Sequence, residues 1–211
     1  MNAWIASLLA EPSLLRMGHL QRAADANLGL GWIYYALGRA LRPTTAVVVG
    51  SWRGFVPLIL GKALADNVES GTVWFVDPSL ADDFWTDPGD VDRHFRRFGV
   101  DNVRHLRMTT QEFVTSDAYA ALPPPGLVFI DGLHTAEQAA FDWEAFAPRL
   151  APGAVVCFHD SRSEKTSPMY GPDRAYRCSV GTFLATLRAR PDLQVFDLPL
   201  GPGLTLVRRH P

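Results

Sequence analysis

Four short apolar runs, each closing on a glycine or on acidic or histidine groups, punctuate the middle of the chain. They are Ala46–Val49 before Gly50, Val73–Val76 before Asp77, Leu127–Ile130 before Asp131, and Val155–Phe158 before His159 and Asp160. Runs of this length and character suit strands buried on both faces of a parallel sheet. Helix-period stretches lie between them. The pattern predicts strand 45–49, helix 54–65, strand 72–77, helix 90–98 and strand 103–107, then strand 127–131, helix 135–150, strand 154–158 and helix 178–190. Such alternation implies βαβ crossovers. The tail, Leu193–Leu198 and Leu204–Arg208 around a Gly/Pro turn, reads as two strands too closely joined for anything but antiparallel pairing. Residues 1–42 read as helical, with Leu14, Leu15, Met17 and Leu20 and then Leu28 to Leu41 at helical spacing, until Pro43 ends the stretch. The expected architecture is α/β: a mostly parallel seven-stranded sheet with an antiparallel C-terminal hairpin and helices on both faces. It forms one domain, 1–211, made of N-terminal helices (1–42) and a core (43–211).

Composition refines this only slightly. With 47% hydrophobic and 20% charged residues the chain has the make-up of an ordinary globular domain. Its net charge of −2 offers no field to draw it to nucleic acid or an anionic membrane. The first residues lack a positive n-region and are broken by Glu11-Pro12, and no window approaches the ~18 apolar residues of a membrane span. Cys157 and Cys178 do not make a disulfide framework, so a reducing, cytoplasmic setting is expected. Two connections are longer than a compact fold needs: 78–89, carrying Asp82, Asp83, Trp85 and Asp87, and 161–177, carrying Arg162, Tyr170, Arg174 and Tyr176. Loops of that length are often lids or binding loops, plain surface being the alternative.

In open α/β sheets, ligands bind just beyond the carboxyl ends of the strands. Gly50-Ser51-Trp52-Arg53-Gly54 sits there, between the first strand and its helix, where glycines permit a tight turn and close approach of a ligand to the helix N-terminus. It is not the G-x-G-x-x-G of dinucleotide sites. Asp77 closes the next strand, where a carboxylate can accept both hydroxyl hydrogens of a ribose; a helix cap or loop salt bridge is the alternative.

These motifs resemble those of class I S-adenosylmethionine-dependent methyltransferases, over a stretch from about Leu28 to the end. Val49-Gly50-Ser51-Trp52-Arg53-Gly54 resembles the family's glycine motif and Val76-Asp77-Pro78 its ribose-binding acid. Ile130-Asp131-Gly132-Leu133-His134 with Phe158-His159-Asp160-Ser161 resembles a smaller group that includes metal-dependent O-methyltransferases of macrolide and related natural-product sugars. The resemblance implies a Rossmann-like fold, S-adenosylmethionine as cofactor, a small-molecule acceptor, and cofactor contacts from Gly50, Ser51, Gly54, Asp77, Thr110, Gln111 and Asp131. It implies Asp131, His159 and Asp160 as ligands of Mg²⁺ or another divalent cation, and Asp131 and His134 as catalytic residues, His134 being the general base. Val48 stands where the family usually has an acid, two positions before the first glycine.

Two carboxylates at a cleft suit a hard cation, whereas a histidine ligand shifts preference toward Mn²⁺, Fe²⁺ or Zn²⁺. Adjacent residues on a strand point to opposite faces, so His159 and Asp160 can face one ion only if the chain bends there. Asp160 as a loop cap and His134 as a hydrogen-bonded residue at a helix start are the alternatives. For an alcohol acceptor, full proton transfer to histidine without a metal spans about nine pKa units, on the order of 12 kcal/mol. Trp32, Tyr34 and Tyr35 read as core aromatics before pocket lining, and Arg93, His94, Arg96 and Arg97 as a solvated basic face. Two further functions stay open: a nicotinamide oxidoreductase, and a noncatalytic cofactor-binding or partner subunit, the latter suggested by Val48. The apolar N-terminal helices could supply a homodimer surface.

Overall fold

The apolar runs that predict strands all form strands, and a computed structural model covering residues 1–16 and 18–210 shows their arrangement. In chain order the helices are α1 (Asn2–Leu9), α2 (Gly31–Leu41), α3 (Phe55–Ala65), α4 (Pro88–Arg96), α5 (Thr110–Phe113), α6 (Asp117–Ala120), α7 (Ala136–Phe146) and α8 (Val180–Arg188). The strands are β1 (Thr45–Val49), β2 (Thr72–Val76), β3 (Val103–Leu106), β4 (Leu127–Ile130), β5 (Val155–His159), β6 (Thr166–Ser167), β7 (Tyr176–Arg177), β8 (Leu193–Leu198) and β9 (Leu204–Arg209). Seven of them form one sheet in the order β3-β2-β1-β4-β5-β9-β8; β9 pairs antiparallel with both β5 and β8, and the other pairings are parallel.

The continuous apolar runs are explained by burial on both faces. Ala46 and Val48 of β1 join one core cluster, Val47 and Val49 the other; β2, β4 and β5 alternate in the same way. The first cluster is covered by α1 to α4 and the second by α5, α7 and α8. Register sets Val48 between Phe75 and Phe129, wholly buried, so the place of the family's usual acid belongs here to the hydrophobic core.

Three expectations need correction. Helix does not run through residues 1–42: α1 and a 3₁₀ turn (Pro12–Arg16) precede a non-helical segment, 18–30, and α2 starts only at Gly31. Gly18 and Gly29 adopt positive φ, and Arg22 and Asn27 pair across a tight antiparallel turn, so local turn chemistry overrides the apolar spacing. Met17, part of the expected helical pattern, lies outside the described residues. The connection 161–177 is not structureless, since β6 and β7 pair into a two-stranded ribbon. Finally, His94 is not on a solvated face.

His94 is buried, ringed edge-on by Phe84, Trp85 and Phe98 at 5.2–5.7 Å, while Arg93, Arg96 and Arg97 beside it are exposed. Burial, helped by the Arg97 charge, lowers its pKa to about 4. The unfolded chain therefore binds more protons between that value and ~6.5, and stability falls as pH drops through this window. Relative to neutral pH, the loss should approach about 3 kcal/mol by pH 4. Denaturant titrations from pH 7 to 4 should show this slope, and His94→Phe, which keeps the aromatic packing, should flatten it. An identical slope in the variant would clear His94 of the effect.

Candidate active site

The carboxyl ends of β1, β2, β4 and β5 open into a cavity of about 720 Å³, within the usual ~300–1,000 Å³ of small-molecule sites. Gly50, Ser51, Asp77, Thr110, Gln111, Asp131, His134 and Asp160 all line it. Two residues expected at the site do not. Gly54, at φ +77, caps α3, and a Cβ there would lie 3.0 Å from the Trp85 ring, so this glycine makes room for that packing. His159 is buried behind the rim, turned toward Asp131.

Among the glycines lining the cavity, Gly50 is the most tightly enclosed. At φ +69, its missing Cβ would lie 2.4 Å from Gly132 Cα and 2.7 Å from the Asp131 carbonyl oxygen, so no side chain fits between the ends of β1 and β4. The turn that follows is held by Asp77, whose carboxylate accepts the Ser51 N–H at 3.1 Å and the Ser79 N–H at 2.8 Å. Each oxygen keeps further acceptor capacity. Burial raises the Asp77 pKa, opposed by these backbone amides. The long connection 78–89 is pinned over the same turn. Arg53 pairs with Asp82 at 2.6 Å and lies over the Trp52 and Phe84 rings, while Asp87 caps α4.

After β3, the neighbour of β2, Thr110 and Gln111 open α5, where Thr109 and Glu112 form a reciprocal cap. Gln111 donates to Gln138 at 2.9 Å, and Gln138 donates to Asp142 at 2.8 Å, giving a polar chain between α5 and α7. Asp142 is wholly buried, its Oδ2 without a hydrogen-bond partner among the described residues, and burial raises its pKa to about 6. Sequence reasoning missed Gln138 and Asp142. The available signal was an acid at a core position of α7, on the apolar stripe of Ala139, Trp143 and Phe146.

On the other side of β1, at the ends of β4 and β5, lies a cluster of two carboxylates and three imidazoles. Asp160 leaves β5 in the left-handed region, φ +53, which supplies the bend that adjacent strand residues need to face one point. His159 Nδ1 then lies 2.9 Å from Asp131 Oδ1 and 3.3 Å from Asp160 Oδ2. His134 is not within α7 but just before its cap, Thr135, and its Nε2 lies 3.3 Å from Asp160 Oδ2 and 3.9 Å from Asp131 Oδ1. The fifth member, His19, went unseen in the sequence because no motif marks it. It comes from the 18–30 segment, and its Nε2 lies 3.5 Å from Asp131 Oδ2.

Burial is the largest influence throughout this cluster. It lowers His19 to about 3, aided by the His159 charge, and lowers His134 despite Asp131 and Asp160. For His159 burial is outweighed by the two carboxylates, which raise it to about 10. Burial raises Asp131 and Asp160, but the histidines more than offset it and hold both below the usual carboxylate range. At neutral pH, His134 is thus an uncharged imidazole on the cavity wall.

Comparison with known proteins fits this geometry. The model of a methyltransferase domain matches residues 47–161, from β1 to just past Asp160. The chain belongs to this methyltransferase family. No curated protein matches it. Solved structures do: an O-methyltransferase from Bacillus cereus in complex with SAH is 14% identical, covering 100% of this chain and 92% of that one, with a TM-score of 0.70. The O-methyltransferase TomG from Streptomyces achromogenes, involved in tomaymycin synthesis and in complex with SAM, is 16% identical over 99% of this chain and 89% of its own, with a TM-score of 0.67. The SAH-bound methyltransferase PaMTH1 from Podospora anserina, 14% identical, covers 100% and 89% with a TM-score of 0.68. At such identities the likeness speaks for the fold, and the methyltransferase fold is the one observed. Membership of this family displaces the nicotinamide reading. Among the described residues, no helix is long and apolar enough to cross a membrane.

Proposed function

We propose that this methyltransferase moves a methyl group from S-adenosylmethionine to a hydroxyl oxygen of a small molecule, of natural-product or sugar type. The observation carrying the reading is that Gly50, Asp77, Asp131, His134 and Asp160, from four strand ends, line one cavity. Asp77 suits the ribose hydroxyls, the Gly50 turn lines the cavity beside it, and the Gln111–Gln138–Asp142 chain offers donors and acceptors to the adenine edge. The SAM- and SAH-bound neighbours support the same cofactor.

S-adenosylmethionine, when bound, supplies a methyl already activated by its sulfonium, so the protein's work is alignment and removal of one proton. The acceptor oxygen forms its bond to the methyl carbon while the carbon–sulfur bond breaks, its electron pair going to sulfur. His134 takes the hydroxyl proton in the same step, since complete prior transfer would be too costly. A divalent cation fits the carboxylates of Asp131 and Asp160, which bring ligand atoms within 4.8 Å of one another, with His134 beside them as the base. Such a cation would lower the acceptor's pKa. A cytoplasmic setting and a homodimer belong to the same proposal.

Calorimetry with S-adenosylmethionine tests the cofactor half. Asp77→Ala should weaken binding by about 10–100-fold, the worth of one or two charge-assisted hydrogen bonds. Unchanged affinity would remove Asp77 from the site. Failure of the wild type to bind S-adenosylmethionine or its demethylated product would end the proposal. Binding without methylated product on any hydroxyl acceptor would favour a noncatalytic module.

A further inference from the structure

We propose that His19, Asp131 and His159 form a site for a borderline divalent transition metal such as Zn²⁺, Fe²⁺ or Mn²⁺, set behind the cavity wall and tying the 18–30 segment to the sheet. The inference deepens the metal part of the function proposed above, but it stands on the donors themselves and is measured without methyl transfer.

The three side chains come from three separate parts of the fold, and all are more than nine-tenths buried. Their ligand atoms lie within 4.8 Å of one another. His19 Nε2 and His159 Nε2 make no hydrogen bond among the described residues, and His159 Nδ1 lies in ion-pair range of the Asp131 and Asp160 carboxylates without a well-directed one. Buried nitrogens aimed at a carboxylate without satisfying it are rare in folded proteins. A cation among them would engage His19 Nε2, His159 Nδ1 and the Asp131 carboxylate at once, leaving only His159 Nε2 on the far side of its ring.

Distances agree with this. Metal–ligand bonds near ~2.1 Å put neighbouring ligand atoms about 3.0–3.4 Å apart in octahedral or tetrahedral geometry. The observed separations are 2.9 Å from His159 Nδ1 to Asp131 Oδ1 and 3.5 Å from His19 Nε2 to Asp131 Oδ2. His19 is also oriented as a ligand would be. Its Nδ1 is hydrogen-bonded to the Tyr34 hydroxyl at 3.0 Å and its ring stacks on Phe55 at 5.1 Å, leaving Nε2 to face Asp131. A partner on the second nitrogen is the usual companion of a metal-bound imidazole. The backbone shares in this placement: Leu30 N donates to the His19 carbonyl at 2.8 Å, and a Cβ on Gly29 would lie 2.2 Å from that oxygen.

The donor set predicts the ion. Two imidazoles and one carboxylate suit first-row transition metals, whereas Mg²⁺ prefers oxygen ligands. Asp131 is shared with the more open Asp131–His134–Asp160 group, so the two arrangements make opposite predictions for His19 and Asp160.

The test uses full-length protein stripped with chelator and titrated with Co²⁺ or Mg²⁺. Wild type should bind Co²⁺ at least about 100-fold more tightly than Mg²⁺, and pulsed EPR of the Mn²⁺-loaded protein should show nitrogen from two imidazoles. His19→Ala should lower Co²⁺ affinity by at least about 100-fold, beyond the 10–100-fold typical of outer-shell losses, and remove one nitrogen signal. Asp160→Asn, which removes only an outer-shell carboxylate 3.3 Å from His159 Nδ1, should lower Co²⁺ affinity by no more than about 10–100-fold, less than His19→Ala. Unchanged Co²⁺ affinity in His19→Ala, or a loss confined to Asp160→Asn, overturns the assignment. If His19→Ala does not fold, the wild-type nitrogen count decides alone, and fewer than two imidazoles refutes it. S-adenosylmethionine binding, followed separately, shows which proposal has failed: Co²⁺ bound through His19 without cofactor binding counts against methyl transfer only, and the converse against the metal site only.

Discussion

Alanine in place of His134 is expected to lower turnover by about 10²–10⁴-fold, the usual worth of a positioned general base, while S-adenosylmethionine affinity changes little. The imidazole lines the cavity, with its Nε2 3.3 Å from Asp160 Oδ2. Burial lowers its pKa, so it is unprotonated at neutral pH and able to accept a proton. Single-turnover rates with saturating cofactor would isolate the effect from binding. His134→Gln sharpens the test, since glutamine keeps a hydrogen-bonding group but cannot take up a proton at this pH. A glutamine variant with near-native turnover would make His134 a positioning residue and leave the reaction without its base.

Gly50→Ala is expected to damage both the fold and the site. Its φ of +69 costs a non-glycine residue about 1–2 kcal/mol, and the new methyl would lie 2.4 Å from the Gly132 backbone. Neither partner is a flexible side chain, so β1 and β4 must separate at the rim, with an overpacking cost of about 1–3 kcal/mol. Together these should lower Tm by roughly 5–15 °C for a chain of this size and weaken cofactor binding more than about 100-fold, the equivalent of ~2.8 kcal/mol. Gly99→Ala is the control. Gly99 has φ +67 with nothing within 4 Å of its would-be Cβ, so only backbone strain should register. If the two variants melt alike and Gly50→Ala still binds S-adenosylmethionine, the close approach at the rim has no functional weight.

The long connections separate what a sequence can and cannot say. Both could be recognised as extra length, and both reach the cavity. Yet 78–89 is held down by Arg53 with Asp82 and by Trp85 in the aromatic cluster, whereas 161–177 folds on itself through β6 and β7. Partners so far apart in the chain leave no periodic trace.

What the sequence determined by itself was the sheet and its functional edge. Strands buried on both faces must be apolar throughout, so each ends visibly where the chain reaches polar surroundings, at Gly50, Asp77, Asp131 and Asp160. That signal is local and survives without coordinates. Only the tertiary structure decided which residues meet there. It turned Gly54 toward Trp85, buried His94 among aromatic rings, drew Asp142 into the cavity wall and brought His19 from outside the parallel core to Asp131. The reason is that a side chain's surroundings depend on contacts between distant segments, and a lone histidine or acid carries the same letter whether it faces water, a ring or another charge.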